Sequence, residues 1–196
     1  MAAVSHRERV LRAATSAFLA DGYRASVEGI ARRARVAKQT VYSHFPSKDV
    51  LFKEVAQELS KRVLVQLEGP PQALRATLVR FARAYRSRVL CPEGIAMFRT
   101  LLSEMPRLPP LARAIYEGGP GETAHVLAAH LKKAMDAGRL CRDDPQFAAE
   151  LLLSMLAGTD RTKMLFGVAR FAGSDARRAG RIVDRFLRMY STGVSS

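Results

Sequence analysis

Polar and basic side chains share one side of the segment from Ser26 to Phe52. At helical spacing its apolar residues fall on the other side, namely Ile30, Ala31, Ala34, Val36, Val41 and Phe45. The outward set consists of Arg32, Arg33, Arg35, Lys38, Gln39, Thr40, Tyr42 and His44. Guanidinium, ammonium, hydroxyl and amide groups are the ones that contact phosphate oxygens and base edges of DNA. The segment is therefore a candidate for sequence-specific DNA binding.

The residues around this segment predict two short helices joined by a tight turn. Ser26 is a favourable N-cap for the first helix, because its hydroxyl can accept a hydrogen bond from an unpaired backbone N–H. Val36 is expected to fill the gap between the two helices. Lys38, Gln39 and Thr40 occupy the first turn of the second helix, where helix-turn-helix units present side chains to base edges.

A proline marks the end of the second helix. Pro46 is expected to end it, because the residue before a proline disfavours the helical conformation. Ser47 is expected to cap the next helix, which places Lys48 in an exposed first turn. From Arg24 to Lys48 the chain has six basic residues and a single acid, Glu28. An ordinary solvated helical hairpin would interleave both signs of charge, so this alternative is disfavoured.

The stretch from about Ser5 to Leu51 resembles the DNA-binding domain of the TetR family of bacterial transcription regulators. The residues that carry the resemblance keep a fixed register over some forty positions: Ala14, Phe18, Gly22, Tyr23, Ile30, Ala31, Ala34, Val36, Lys38, Thr40, Tyr42, Phe45, Lys48 and Leu51. Two positions depart from the family pattern. Arg35 stands where the family usually has Gly, so a left-handed arginine is expected at a cost of about 1 kcal/mol. Ala37 stands where it usually has Ser, which gives up a cap worth about 1 kcal/mol.

The resemblance implies a set of DNA-contacting residues. Gln39 and Thr40 are candidates for base-edge contacts, and Lys38 can reach either a base or a phosphate. Tyr42, His44 and Lys48 are expected to hold phosphates. The full predicted set is Ser26, Arg35, Lys38, Gln39, Thr40, Tyr42, His44 and Lys48.

Composition agrees with a polyanionic partner. The 196 residues carry a formal net charge of +14, and 48% of them are hydrophobic, enough for a sizeable core without disulfides. The two cysteines, Cys91 and Cys141, are far apart in sequence and are expected to be buried free thiols, which fits a reducing compartment. With no leader-like segment and no apolar run long enough to span a bilayer, we expect a cytoplasmic protein with no membrane partner.

The apolar periodicity predicts an all-α chain of about nine helices. An N-terminal helix-turn-helix domain over residues 1–48 is expected to precede a helical regulatory and dimerisation domain over 49–196. Breaks are predicted at residues 69–71 and at the Gly118–Gly121 stretch, and Gly138 is predicted to stop a helix. A helix opening at Pro145 is expected to run to about Phe171, and the last helix is expected to begin at residues 173–175.

Two stretches of the C-terminal part, residues 111–121 and 137–149, resemble the C-terminal domain of the AefR-like branch of TetR regulators. This resemblance implies a dimeric, ligand-responsive repressor that binds a palindromic operator, and it names no effector. A small apolar or amphipathic effector is expected, since the candidate pocket lining is Met97, Phe98, Leu101, Met105, Tyr116, Met155 and Phe166. At helical spacing, plain core packing of these residues is the competing interpretation.

The last two helices carry apolar stripes that suggest a homodimer interface, at Leu152, Met155, Leu156, Met164, Ile182, Phe186 and Met189. An additional layer of intramolecular core is the alternative. No catalytic, metal or cofactor site is predicted, because no nucleophile motif, phosphate loop or metal-ligand spacing is evident. Two other functions stay open: a ligand-binding protein or enzyme that keeps the helix-turn-helix as a scaffold, and a non-specific basic nucleic-acid-binding protein.

Overall fold

The computed structural model describes residues 5–68, 73–169 and 176–192, and every regular element in this part is helical. The helices are α1 (His6–Asp21), α2 (Val27–Ala34), α3 (Lys38–His44), α4 (Lys48–Leu64), α5 (Leu74–Leu90), α6 (Pro92–Glu104), α7 (Pro109–Tyr116), α8 (Glu122–Asp136), α9 (Pro145–Leu165) and α10 (Ala176–Met189). The predicted all-α fold is confirmed. The predicted break at 69–71 and the predicted start of the last helix at 173–175 lie outside the described residues.

The chain forms two compact units. The first contains Met1–Leu59 and Glu93–Gly119, and the second contains Ser60–Pro92 and Pro120–Ser196. The division into a DNA-binding domain over residues 1–48 and a regulatory domain over residues 49–196 concerns function, and it stays a prediction. No local signal in the sequence indicated that α6 and α7 belong with the N-terminal helices.

The core of the first unit is built from the inner faces of α1 to α4 together with α7. Its buried residues include Val10, Ala14, Phe18, Ile30, Ala31, Ala34, Val41, Phe45, Leu51, Phe52, Val55, Leu111 and Ile115. Phe52 stacks edge-on against Phe18, with ring centroids 4.6 Å apart, and α4 is thereby fixed against α1. This core sets the positions of α2 and α3, whose other faces are exposed.

The core of the second unit joins α5, α8, α9 and α10. Three residues of the predicted dimer stripes, Leu152, Leu156 and Phe186, are fully buried inside it. They serve the protomer's own core, so for these three the intramolecular alternative is the correct one. The structural reason is that α5 packs against both α9 and α10, which covers the faces that carry these residues.

Several predicted helix ends hold, and others need correction. Gly138 has φ 67° after α8, as the predicted stop requires. The helix opening at Pro145 ends at Leu165 rather than near residue 171, because Gly167 takes φ 72° and Val168 donates back to the Lys163 carbonyl at 3.0 Å.

The predicted break at Gly118–Gly121 is wrong. Residues Glu117–Gly121 form one π-helical turn that leads directly from α7 into α8. Pro120 has no N–H to give to a helical ladder, and a wider turn accommodates it.

Cys141 is exposed rather than buried, and its Sγ donates to the Ser191 carbonyl at 3.0 Å.

Candidate nucleic-acid interface

The first helix of the candidate site, α2, begins as the sequence predicted. The hydroxyl of Ser26 accepts a hydrogen bond from the Gly29 N–H at 3.0 Å, which satisfies one of the free donors at the helix start. Ile30, Ala31 and Ala34 are buried, and Arg32 and Arg33 are exposed. The helix therefore presents two guanidinium groups to solvent on a face opposite to the core.

The turn between α2 and α3 contains the left-handed arginine that the sequence predicted. Arg35 has φ 53° and ψ 51°, and it is the non-glycine residue with positive φ in the described part of the chain. Its N–H donates to the Arg32 carbonyl at 3.2 Å, and the next N–H, of Val36, donates to the Ala31 carbonyl at 3.1 Å. This bonding closes the end of α2.

An arginine from α1 holds this turn. Arg9 donates from Nε and Nη2 to the carbonyl of Ala34, at 3.1 and 2.8 Å, and from Nη2 to the carbonyl of Arg35 at 2.7 Å. These carbonyls lie at the negative end of α2, where a cation is favoured and where acceptors lack helical partners. The sequence does not indicate this role of Arg9, because the residue lies 25 positions before Ala34 and its only local signal is a basic side chain on a half-buried helix face.

The second helix, α3, is anchored by two buried residues. Val41 and Phe45 are 1% and 0% exposed, and the guanidinium of Arg7 lies 5.2 Å from the centre of the Phe45 ring. Ala37 begins α3 without a side-chain cap, as its identity predicted, and α3 ends at His44 before the extended Phe45. The anchored face leaves Gln39, Tyr42 and His44 exposed.

Lys38, at the start of α3, has two partners on the protein surface. Its ammonium donates a hydrogen bond to the carboxylate of Glu28 on α2, and it lies 5.8 Å from the centre of the Tyr42 ring. The hydrogen bond to Lys38 lowers the pKa of Glu28, and the same bond raises the pKa of Lys38. Both groups therefore stay charged across the physiological range. The sequence shows Glu28 as the lone acid of this stretch but does not indicate that Lys38 is its partner.

Lys48, at the start of α4, rests on an aromatic ring. Ser47 caps α4 as predicted, accepting from the Val50 N–H at 3.2 Å. The ammonium of Lys48 lies 4.3 Å from the centre of the Tyr23 ring, and partial burial lowers the Lys48 pKa. The Tyr23 hydroxyl donates to the Asp49 carboxylate; burial and this bond raise the pKa of Tyr23 to about 12. Tyr23 thus forms a neutral platform beneath the Lys48 charge.

The eight predicted DNA-contacting residues all lie at or near the surface of the first unit. Six of them are exposed, namely Ser26, Arg35, Lys38, Gln39, Tyr42 and His44, and Thr40 and Lys48 are half-buried. The first turn of α3 thus combines an ammonium, an amide and a hydroxyl group, with further basic residues on α2 and α4. Phosphate-binding cations flanking polar hydrogen-bonding groups form the arrangement that reads DNA.

Comparison with known proteins identifies this architecture. Residues 10–55 match the model of bacterial regulatory proteins of the tetR family. Residues 76–192, more than half of the chain, match the C-terminal domain of AefR-like transcriptional repressors. The chain belongs to the TetR family. The predicted resemblance is thereby confirmed for both parts.

Several relatives are similar to this TetR-family chain. Flavonoid-responsive Regulator FrrA is 30% identical, with a TM-score of 0.71 and coverage of 96% of this chain and 98% of that one. A TetR family transcriptional regulator from Pseudomonas syringae pv. tomato is 26% identical, with a TM-score of 0.68 and coverage of 95% and 97%. The A-factor receptor protein of Streptomyces griseus is 29% identical over an alignment of 162 positions that covers 80% of this chain. The chain spans about half, 54%, of that receptor's length.

The predicted pocket-lining residues fall in both units. Met97, Leu101 and Met105 pack against the core of the first unit, where Phe98 is half-buried and Tyr116 is 61% exposed. In the second unit, Met155 packs against the core, and Phe166 is 79% exposed. Their role in ligand binding stays a prediction.

Among the residues that the structure describes, no group of three or more His, Cys, Asp or Glu side chains is arranged to hold a metal ion. Over the same residues, no helix is both long and apolar enough to cross a membrane.

Proposed function

We propose that this chain is a sequence-specific DNA-binding repressor that recognises a palindromic operator and is released by a small ligand. The observation that carries the proposal is the exposed first turn of α3, with Lys38 and Gln39 exposed and Thr40 half-buried, on a helix anchored by Val41 and Phe45. In helix-turn-helix proteins this turn enters the major groove and contacts base edges. Membership of the TetR family supports the same function.

Each group at the surface has a definite role in this proposal. Gln39 and Thr40 contact base edges, and Lys38 adds donors that suit guanine O6 and N7. Lys48, Tyr42, His44 and Arg35 bind phosphates, together with the Ser26 hydroxyl at the N-terminus of α2. The phosphate contacts fix the register of the unit on the duplex, and the base contacts select the sequence.

Selection of bound duplexes from a random-sequence library tests this function. The expected result is enrichment of an inverted repeat whose half-sites are centred about one helical turn or a multiple of it apart, since a two-fold dimer presents two recognition helices to one face of the duplex. Recovery of sequences with no common motif would refute sequence-specific recognition and favour a non-specific basic coater.

We further propose that the protein is a homodimer through α9 and α10, acting in the cytoplasm. Phe147 and Phe166 of the α9 region and Met189 of α10 are 56%, 79% and 60% exposed. Phe147, Ser154, Gly158 and Leu165 recur at spacings of seven, four and seven residues, which place them on one face of α9. Outside the backbone of its own helix, no atom of the described residues lies within 4 Å of the position that a Cβ at Gly158 would take, so there is space for a second helix at this position. Self-complementary contact around a two-fold axis would cover this face.

We also propose that a small apolar or amphipathic effector weakens operator binding. Two relatives, one named a flavonoid-responsive regulator and the other an A-factor receptor, support ligand control within the family. α4 starts at Lys48 in the DNA-facing unit and contributes its last turn to the second unit, so it is the proposed carrier of the signal. A coupling of about 1–3 kcal/mol would lower operator affinity roughly 5- to 150-fold.

A thermal-shift screen of apolar compounds, followed by titration of each hit with and without operator, tests this coupling. Operator DNA must weaken ligand binding by the same factor by which ligand weakens DNA binding. Equal ligand affinity in the two titrations would show that the ligand does not control DNA binding.

A further inference from the structure

The ion pair between Glu28 and Lys38 places an acid at the reading end of α3. Glu28 is exposed in the first turn of α2, and its carboxylate accepts a hydrogen bond from the Lys38 ammonium. The two side chains are 60% and 51% exposed. An exposed pair of this kind contributes little to folding stability.

The charge context makes this acid costly for a DNA-binding surface. Glu28 is the single acid between Arg24 and Lys48, in a stretch with six basic residues. A carboxylate beside phosphates is repelled, and it neutralises a cation that would otherwise release counterions on binding. A surface built only for tight contact with DNA would therefore lack this acid.

The geometry indicates what the acid does. A lysine ammonium has three N–H donors, and Glu28 takes one of them while the Tyr42 ring lies beneath, 5.8 Å from the ammonium. Two contacts on different elements, α2 and α3, restrict a side chain that is otherwise long and flexible. Two donors remain for a group that docks at the first turn of α3, and two donors match guanine O6 and N7.

We propose that Glu28 is a positioning residue that determines specificity through Lys38. It holds the Lys38 ammonium at the base-reading position and withholds it from phosphates, so that binding to arbitrary DNA is weakened while operator binding is kept. This inference rests on the proposed function of the first unit. This role of Glu28 requires that the operator contain a guanine for Lys38 to contact, and every duplex supplies the competing phosphates.

Binding of short duplexes by anisotropy across a salt series tests the proposal, with wild type, Glu28→Gln, Lys38→Met and the double variant. For scrambled DNA at about 0.1 M salt, Glu28→Gln is expected to raise affinity roughly 3- to 10-fold and to steepen the salt slope by about 0.9, the value for one further phosphate contact. Affinity for the selected operator should stay level or fall, so the ratio of the two affinities drops. Glu28→Asp, which keeps the carboxylate, should restore much of the wild-type ratio.

Two comparisons make the test decisive. In the Lys38→Met background, Glu28→Gln should raise the affinity for scrambled DNA much less and leave the salt slope nearly unchanged, because only the general repulsion by the carboxylate is removed and no cation is released. Asp21→Asn removes another exposed acid of the same unit, one whose side chain makes no capping hydrogen bond, and it should have a smaller effect. An equal effect of Asp21→Asn, or an undiminished effect of Glu28→Gln without Lys38, would overturn the proposal in favour of general repulsion.

The outcome separates this proposal from the function on which it rests. A wild-type protein with no preferred sequence would refute operator recognition, and the scrambled-DNA arm would still decide whether Glu28 competes for Lys38. A protein that prefers an operator, with a Glu28→Gln variant that keeps the wild-type ratio of affinities and salt slope, would refute the role of Glu28 alone.

Discussion

Arg9 of α1 donates a hydrogen bond of 2.7 Å to the carbonyl oxygen of Arg35, the left-handed residue in the turn before the recognition helix. The same guanidinium donates twice to the neighbouring carbonyl of Ala34. The turn therefore holds Arg35 in a left-handed conformation that an arginine disfavours. Arg9, which is distant in sequence, stabilises this turn through its guanidinium. The orientation of α3 depends on both.

We expect Arg9→Ala to lower the free energy of unfolding by roughly 1–3 kcal/mol, because it leaves two helix-terminal carbonyls without their charged donor. Arg35→Gly should raise it by roughly 1 kcal/mol, since glycine adopts positive φ without a steric penalty, and should offset part of the Arg9→Ala loss in the double variant. Urea denaturation followed by circular dichroism measures each value. Arg12→Ala, at an exposed position of the same helix, is the control and should lie within about 0.5 kcal/mol of wild type. If Arg9→Ala matches this control, the turn does not depend on Arg9.

Lys48→Ala should weaken binding to operator and scrambled DNA by a similar factor and reduce the salt slope by about 0.9. The ammonium of Lys48 lies over the Tyr23 ring, and its partial burial lowers its pKa. Because this group is already partly dehydrated, a phosphate that binds it displaces less water. Salt-dependent anisotropy measures both quantities, and Lys61→Ala near the other end of α4 serves as control. Loss confined to the operator would mean that Lys48 reads bases instead.

Gln39→Ala should relax sequence preference at particular operator positions. A bidentate amide-to-adenine contact contributes about 1–3 kcal/mol of discrimination, and Gln39 is exposed in the first turn of α3. Competition with operators mutated one base pair at a time locates the affected position. If the variant loses equal affinity for operator and scrambled duplexes, Gln39 does not read a base.

Gly158→Leu should yield a folded monomer. Outside the backbone of its own helix, a Cβ at Gly158 meets no atom of the described residues within 4 Å, and replacing a glycine inside a helix stabilises that helix by up to about 1 kcal/mol. A leucine there would instead clash with a second helix packed against this face. Sedimentation should give about twice the 21.6 kDa chain mass for wild type and the single mass for the variant. A variant that remains dimeric with unchanged affinity would place the interface elsewhere.

The sequence predicted those features of the fold that depend on neighbouring residues. The Ser26 and Ser47 caps, the left-handed Arg35 and the uncapped Ala37 all follow from local backbone chemistry, and all were confirmed. The buried face of α2 and α3 followed from apolar spacing alone. These signals were sufficient to recognise the DNA-binding unit.

Features that depend on distant residues could not be predicted in the same way. Arg9 lies 25 positions from Ala34, and Tyr23 lies 26 from Asp49, so no periodicity links them. An apolar stripe has the same sequence pattern whether a helix of the same protomer or a helix of a second copy covers it. The packing of α5 places Leu152, Leu156 and Phe186 in the core of the protomer. The sequence also could not indicate that a π-helical turn would carry the chain through Pro120.

The most direct test of sequence-specific recognition is the affinity for one selected palindrome compared with a duplex of identical composition and scrambled half-sites, at a single salt concentration of about 0.15 M. The first turn of α3, with Lys38, Gln39 and Thr40, predicts a ratio of at least about 10³ in favour of the palindrome, as for specific DNA-binding proteins in general. Equal affinities for the two duplexes would contradict it and leave a protein that binds DNA through charge alone.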